Sequence, residues 1–213
     1  MERINAVMKA LENNNMNAYF VENREEAKNL TEKLLEGCDT VSHGGSVTLA
    51  ECGINELLNN GNYTYLDRSK AKTPEEMKKI YVETFDADAY ISGTNALTED
   101  GKLYNVDGNC NRIAAIEFGP KKVIVLAGVN KIVKDLDEAA LRVKKIAAPL
   151  NTKRLNLDTY CNKFGECVSV KSGGKMTDGC NSPSRICCSY SICAQQRIKG
   201  RINVIIINEN LGY

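Results

Sequence analysis

The segment Lys122–Ala127 constrains the fold of this chain more than any other, because five apolar residues follow its lysine without interruption. A strand with one face in water alternates apolar and polar residues, whereas a strand covered on both faces need not. Strands of the second kind are typical of parallel sheets with helices packed on either side. The segment therefore predicts a buried strand in a layered α/β domain.

Strand-like and helix-like segments alternate along the rest of the chain. Apolar residues at helical spacing predict helices over residues 2–13, 24–36 and 135–146, and a capped helix start at Thr73. Other strands are predicted at residues 18–21, 40–42, 63–66, 87–92 and 203–207. This alternation predicts a doubly wound α/β domain with a mostly parallel sheet and helices on both faces. We expect residues 1–213 to form this single domain.

The charges of the chain nearly balance, with 28 Lys and Arg against 27 Asp and Glu and a formal net charge of +1. This balance gives no electrostatic reason to expect nucleic acid or an anionic membrane as a partner. No apolar run approaches the roughly 20 residues that span a bilayer, and the N-terminus lacks a signal pattern. We expect a cytoplasmic protein, and the sequence leaves its oligomeric state open.

A glycine pair and two hydroxyl residues lie between a predicted strand and a helix predicted to run through Leu58. Glycines let a backbone approach a ligand closely, and the start of a helix offers unpaired N–H groups. The turn therefore predicts an anion site, although a plain tight connection is the alternative. The candidate residues are His43, Gly44, Gly45, Ser46 and Thr48. His43 is the only histidine, and a structural hydrogen bond is the alternative role for it.

A second polar segment, Gly93–Arg112, follows the predicted strand that ends at Ser92. Ligands of open parallel sheets bind beyond the carboxyl ends of the strands, so this segment and the glycine turn share one crevice if their strands are neighbours. Its candidate ligand-binding residues are Thr94, Asn95, Asp107, Asn109, Asn111 and Arg112. The alternatives are backbone capping by the Asn and Asp side chains and an ordinary hairpin turn at Asp100 and Gly101.

Four motifs in this order resemble the lactate utilization protein family, the LUD domain. They are His43–Ile54, Gly93–Gly101, Asn111–Ala115 and Phe118–Ile124. The resemblance covers nearly the whole chain and implies the fold shared by ribose-5-phosphate isomerase, glucosamine-6-phosphate deaminase and coenzyme A transferases. In that fold a Gly-Ser/Thr loop holds phosphate or carboxylate groups. The resemblance also implies a link to lactate oxidation together with iron-sulfur partner proteins.

The resemblance leaves open whether the chain is an enzyme. The run Gly93–Leu97 is similar to a motif of methylthioribose-1-phosphate isomerase, but Asn95 stands where that enzyme has its acid-base aspartate. An amide does not exchange a proton near neutral pH, so we do not expect sugar isomerisation by that route. The remaining candidate catalytic carboxylates are Glu51 and Glu99, each acting as a base or a transferase-type nucleophile. Exposed carboxylates without a catalytic role are the alternative.

Six of the nine cysteines fall in the last quarter of the chain. Disulfides are disfavoured in the cytosol, so such clustering indicates metal binding or redox chemistry. We predict metal ligation in a Cys-rich insertion over residues 158–193, by Cys161, Cys167, Cys180 and Cys187. A similar pattern occurs in LUD relatives, but an insert between the second and third of these cysteines removes a Cys-x-x-Cys pair. The bound group is a 4Fe-4S cluster or zinc, and free thiols are the alternative.

Two functional hypotheses follow from these features. In the first, the chain is a redox accessory or component of lactate (2-hydroxy acid) utilization, which binds a small anionic metabolite and carries a cluster for electron transfer. In the second, it is a non-catalytic binding or regulatory module for a phosphorylated metabolite or nucleotide, with structural zinc or free thiols. The metal content of the protein separates the two hypotheses.

Overall fold

The computed structural model describes residues 1–213. Its helices are α1 (Glu2–Asn13), α2 (Arg24–Leu34), α3 (Val47–Glu51), α4 (Ile54–Asn60), α5 (Pro74–Asp86), α6 (Asn111–Glu117), α7 (Leu136–Arg142), α8 (Ala148–Arg154), α9 (Tyr160–Phe164) and α10 (Val168–Lys171). Its strands are β1 (Asn17–Val21), β2 (Thr40–His43), β3 (Thr64–Leu66), β4 (Ala89–Gly93), β5 (Ala96–Thr98), β6 (Leu103–Asp107), β7 (Lys122–Gly128), β8 (Ile132–Val133), β9 (Ser189–Cys193) and β10 (Ile202–Ile207). No helix has both the length and the apolar character that crossing a bilayer requires.

The main sheet has six strands in the order β1-β10-β7-β4-β2-β3, and every pair is parallel. Helices pack against both of its faces, so the predicted α/β fold with a mostly parallel sheet is confirmed. Every residue of β10 and all of β7 except Lys122 are buried. The apolar run in β7 is therefore long because no face of that strand meets water.

Successive side chains of β7 point to opposite faces of the sheet and supply two separate cores. Val123 and Val125 belong to a cluster of 16 buried residues that includes residues of α1. Ile124 and Leu126 belong to a second cluster of 16, which includes residues of α2 and α4. Side chains of β7 therefore pack against helices on both faces of the sheet.

A second sheet of four strands, in the order β8-β5-β6-β9, was not predicted. Strands β5 and β6 form an antiparallel hairpin, so the alternative of a hairpin turn at Asp100 and Gly101 is confirmed. Strand β9, which ends the Cys-rich segment 158–193, pairs with β6 and sets Ser189 opposite Asp107. This pairing brings the late cysteines beside the polar segment that follows β4.

Two predicted helices have different bounds in the structure. The helix after the glycine turn is interrupted at Gly53, whose φ of 66° is left-handed, and becomes the short helices α3 and α4. The helix predicted to end at Ile146 continues instead through a π-helical turn, Val143–Ala147, into α8. Turns of this kind widen a helix locally and are common beside functional sites.

We predict that Gly101→Ala destabilises the protein more than Gly37→Ala. Both glycines are left-handed, with φ of 76° and 75°, so each substitution costs about 1–2 kcal/mol of backbone strain. A Cβ on Gly101 would also lie 2.6 Å from backbone atoms of Ala10 and Leu11, whereas a Cβ on Gly37 would meet nothing within 4 Å. We expect a total loss of about 3 kcal/mol or more for Gly101→Ala, measured by urea unfolding. Equal losses for the two variants would contradict this packing of the hairpin on α1.

Candidate functional site

The glycine turn and the polar segment meet in one open cleft of about 400 Å³. Strands β2 and β4 are hydrogen-bonded neighbours, with His43 opposite Ile91, so the loops that follow them leave the sheet side by side. The predicted site residues that line the cleft are Gly45, Ser46, Thr94, Asn95, Asp107, Asn109, Asn111 and Arg112. The cleft lies at the carboxyl edge of the sheet, where open parallel sheets bind their ligands.

Close contact between the two loops depends on Gly93. A Cβ at this position would lie 2.6 Å from the Ser46 hydroxyl oxygen, so the Ser46 side chain would have to turn away. The Ser46 side chain caps no N–H of α3, so its hydroxyl is not used by that helix.

With only five residues, α3 contributes little to anion binding through its dipole, and side-chain cations must supply the attraction.

Arg112 holds the wall of the cleft together. Its guanidinium donates to Asp107 Oδ1 at 2.9 Å, Asn105 Oδ1 at 2.6 Å and Asn95 Oδ1 at 2.8 Å. Asp107 also accepts a hydrogen bond from the Ile113 N–H at 2.8 Å, at the start of α6. These contacts brace the loops that line the cleft, although the buried Asn105 amide nitrogen has no hydrogen-bond partner in the protein.

Lys131 is the buried cation of the cleft. It is 2% exposed, forms no ion pair, and donates from Nζ to the Thr48 hydroxyl at 2.7 Å. Burial is the main cause that lowers the pKa of Lys131 to about 7, and the nearby Arg142 and Arg112 act in the same direction. Thr48 lies behind the cleft and donates in turn to the Leu211 carbonyl at 3.2 Å. An anion in the cleft would supply the charge that this ammonium lacks.

Two further cations line the cleft. Arg68 follows β3, and a Cβ on Gly45 would collide with its guanidinium, so the glycine makes room for this side chain. Arg154, on α8, donates to the Tyr213 hydroxyl at 2.8 Å. The cleft is thus lined by four basic side chains, counting Arg112 and Lys131, and by one acidic side chain, Asp107.

His43 and Gly44 lie outside the cleft lining. His43 faces a smaller adjoining cavity of about 50 Å³ and shares a hydrogen bond of 2.9 Å between Nδ1 and the Tyr65 hydroxyl. Burial, assisted by Arg68, lowers the pKa of His43 to about 4, so the ring is neutral at pH 7. The Gly44 N–H donates to the Ile91 carbonyl at 2.9 Å and extends the pairing of β2 with β4.

The structure brings neither predicted catalytic carboxylate into the cleft. Glu51 Oε2 accepts a hydrogen bond from the Gly212 N–H at 2.7 Å, next to the C-terminal residue. Glu99 Oε1 pairs with Arg3 Nε at 2.7 Å on the exposed hairpin turn between β5 and β6. Each of these carboxylates therefore contacts a residue that is distant in the sequence. Asp107, the carboxylate that does line the cleft, forms an ion pair with Arg112.

The four cysteines predicted as metal ligands surround one second cavity, together with mostly apolar side chains. Cys161 lies on α9, Cys167 precedes α10, Cys180 lies in the loop that follows, and Cys187 precedes β9. Hydroxyls accompany two of the thiols: Cys161 Sγ lies 3.4 Å from Thr159 Oγ1, and Cys167 Sγ lies 3.3 Å from Ser169 Oγ. All nine cysteines are free of disulfides.

The cavity offers four thiols, which is the donor type of thiolate-ligated metal centres, but the thiols are not drawn together around one point. Burial raises the pKa of Cys187 to about 12, and the neighbouring Cys161, Cys167 and Cys180 add to this effect. A bound cation reverses such repulsion, because it stabilises all the thiolates at once. No three side chains converge closely enough to hold a single ion, and the empty space is about 20 Å³, room for one water molecule.

The cysteine cavity and the cleft share a wall. Val143 and Ala148, in the widened helix, and Ile186 and Cys187 line both spaces. The Cys188 N–H donates to the Asp107 carbonyl at 3.0 Å and holds this wall against the end of β6. A group bound by the cysteines would therefore lie next to a ligand in the cleft.

Comparisons with known proteins agree with this architecture. The sequence model of the LUD domain matches residues 4–207. The structure of a DUF162 family protein from Deinococcus radiodurans is similar over 97% of both chains, with 14% identity and a TM-score of 0.53, which shows the shared fold. Ribose 5 phosphate isomerase A from Neisseria gonorrhoeae is 16% identical over 53% of each chain, and its TM-score of 0.33 supports no conclusion. No curated protein matches the sequence.

We predict that the free energy of unfolding rises between pH 7 and 8.5 and that Lys131→Met removes this rise. The pKa of Lys131 is about 7 in the folded protein against 10.5 without burial, so in this range the unfolded chain binds the extra proton. Stability then increases with pH, by on the order of 1 kcal/mol over this range. Urea unfolding at several pH values measures the effect in both proteins. Parallel pH profiles would contradict the charge state assigned to Lys131.

Proposed function

This chain belongs to the LUD domain family, and we propose that it is a redox accessory protein of lactate (2-hydroxy acid) utilization. In this proposal a small carboxylate anion binds in the cleft, and the four cysteines hold a 4Fe-4S cluster beside it. The observation that carries the proposal is the wall of Cys187 and Ile186, which lines both the cleft and the cysteine cavity. The expected partners are iron-sulfur proteins of the same pathway, and the expected location is the cytoplasm.

The charges of the cleft support an anionic ligand. Lys131, Arg68 and Arg154 face a space whose one carboxylate, Asp107, is already paired. A buried ammonium without a counter-charge is costly, and an incoming carboxylate offsets that cost. The side chains of Asn109 and Asn111 also line the cleft and add neutral polar groups. Because Asp107 is paired with Arg112, we assign no proton-abstracting role to the carboxylate of the cleft.

The cluster is proposed from the donor types, since four cysteines and mostly apolar side chains line one cavity. Four thiols are also the ligand set of structural zinc, and metal analysis distinguishes the two. A 4Fe-4S cluster when bound supplies one-electron transfer. The protein contributes four thiolates, an apolar lining, and Arg185, which donates to the Cys187 carbonyl at 2.8 Å and the Cys180 carbonyl at 3.2 Å. A cluster is larger than the 20 Å³ space, so this proposal requires the glycine-containing insert between Cys167 and Cys180 to move outward when the cluster binds.

The arginines support a second candidate function, the binding of a phosphorylated metabolite without redox chemistry. Guanidinium groups match phosphate oxygens in a planar fork, and Arg68 and Arg154 both line the cleft. In this alternative the cysteines hold zinc or remain free thiols. Metal content and ligand preference decide between the two.

We predict that protein purified without oxygen contains iron and sulfide in the ratio of a 4Fe-4S cluster, and that Cys180→Ser loses both. Cys188→Ser is the matched control, because Cys188 is exposed and does not line the cavity. The measurements are iron, sulfide and zinc analyses with an absorbance spectrum. Wild-type protein that contains stoichiometric zinc, or no metal, would refute the redox proposal. Equal iron loss in Cys180→Ser and Cys188→Ser would also refute it.

We also predict that Lys131→Met weakens the binding of pyruvate or lactate by about tenfold to a hundredfold, since a hydrogen bond to a charged group contributes about 1.5–3 kcal/mol. Titration calorimetry measures the dissociation constants, and Lys134→Met is the control because Lys134 is exposed outside the cleft. Unchanged binding in Lys131→Met would remove the cleft as the anion site. Inorganic phosphate binding more tightly than either carboxylate would favour the second candidate function.

A further inference from the structure

We propose that Lys131 is a nucleophile that forms a reversible Schiff base with the carbonyl carbon of a 2-oxo acid bound in the cleft. This inference rests on the anion site of the proposed function and requires no group at the cysteines. It goes beyond anion binding, because it assigns a covalent step to the cleft. It also names the ligand class, a small molecule with a carboxylate and a carbonyl on adjacent carbons.

Lys131 differs from the other buried lysine of the chain in what its amine contacts. Lys144 is 8% exposed and donates from Nζ to the backbone carbonyls of Gly174 and Lys175. Lys131 is 2% exposed, and its amine donates to one neutral group, the Thr48 hydroxyl. Two carbonyl oxygens stabilise an ammonium better than a single hydroxyl does. The surroundings of Lys131 therefore favour the neutral amine, which is the form that attacks a carbonyl.

The hydrogen bonds of Thr48 leave the lone pair of that amine free. The Thr48 hydroxyl donates its own proton to the Leu211 carbonyl at 3.2 Å, so it accepts an N–H from Lys131 at 2.7 Å. The segment around Gly212 packs against this hydroxyl, since a Cβ on Gly212 would lie 2.5 Å from Thr48 Oγ1. Lys131 lines the cleft and Thr48 does not. One N–H thus anchors the nitrogen behind the cleft, and its lone pair remains available to a ligand.

The charged groups around Lys131 also favour the neutral amine. Arg142, on α7, donates to two backbone carbonyls at 3.2 and 2.6 Å, so no carboxylate neutralises its charge. Burial and the charges of Arg142 and Arg112 together lower the pKa of Lys131 to about 7, while Glu51 and Cys52 have smaller, opposite effects. About half of the amine is then neutral at pH 7, against about 1 part in 2,500 for a lysine of ordinary pKa.

Arg68 and Ser46 offer contacts for the other polar groups of a 2-oxo acid. Arg68 lines the cleft, and its guanidinium takes part in no hydrogen bond or ion pair, so its planar fork is free to bind a carboxylate. The Ser46 hydroxyl also lines the cleft and caps no N–H of α3, so it is free to donate to a carbonyl oxygen. The cleft therefore provides a carboxylate contact, a carbonyl contact and an amine nucleophile.

The covalent step needs no reactant besides the amine and the 2-oxo acid. The Lys131 nitrogen attacks the carbonyl carbon, and the resulting carbinolamine loses the carbonyl oxygen together with both amine hydrogens as water. The product is an imine, nothing is oxidised or reduced, and the addition of water reverses the step. Lactate has the carboxylate but no carbonyl, so it occupies the same cleft without forming this bond.

The test is reductive trapping of wild-type protein with pyruvate and sodium cyanoborohydride at pH 7, followed by tandem mass spectrometry of its peptides. We expect the peptide that contains Lys131 to gain the mass of one pyruvate less one oxygen atom. Its labelling rate should exceed that of the exposed Lys134 by at least about a hundredfold, because a far larger fraction of its amine is neutral. Excess lactate should suppress the label on Lys131 alone.

Two variants separate the covalent step from the charge of the side chain. Lys131→Arg keeps a cation in the cleft but lacks a nucleophilic amine, so we expect it to bind lactate within about tenfold of wild type and to form no adduct at this position. Lys134→Met is the matched control and should be labelled at Lys131 like wild type. Titration calorimetry measures the binding of lactate and of pyruvate in each protein.

The peptide map of wild-type protein decides the outcome without reliance on the folding of a variant. Pyruvate that fills the cleft by calorimetry but leaves no adduct on Lys131, or an adduct spread evenly over exposed lysines, would overturn the covalent role and leave the anion site in place. Wild-type protein that binds neither pyruvate nor lactate would overturn the anion site and this inference together. Calorimetry therefore distinguishes the two failures.

Discussion

The parallel pairing of β2, β4 and β7 is the constraint on which the rest of this structure depends. Parallel strands end at the same edge of a sheet, so the loops after these strands meet there whatever their sequences. The apolar residues of β7 and β10, buried on both faces, hold the strands in this order. The loops that meet at this edge form the cleft and place Lys131 within it. They also bring Gly93 close to Ser46.

The pairing of β6 with β9 adds the second element of the site. It carries Cys187 from a distant part of the sequence to the rear wall of the cleft, and the network around Arg112 fixes that wall from the other side. The widened helical turn Val143–Ala147 completes the boundary between the two spaces. The cleft and the cysteine cavity therefore share a few side chains, so a ligand proposed for the cleft would lie beside a group proposed for the cysteines.

Much of this arrangement could be predicted from local sequence, because strand periodicity and the edge rule depend on near neighbours. The edge rule predicts Gly45 and Asn95 in one crevice. Arg68 and Lys131 also follow strand ends, but no sequence motif marks them. The contacts of Glu51 and Glu99 could not be predicted, since their partners Gly212 and Arg3 lie far away in the sequence. The second sheet was missed for the same reason, because β6 and β9 pair across a long separation.

The central claim is that a cluster held by the four cysteines lies against an anion bound in the cleft. The most direct test is the electron paramagnetic resonance spectrum of the reduced protein, recorded with and without saturating pyruvate, where calorimetry sets saturation. We expect pyruvate to shift the spectrum in wild type and to have no effect in Lys131→Met. A wild-type spectrum that pyruvate leaves unchanged while calorimetry shows the cleft to be filled would contradict the account.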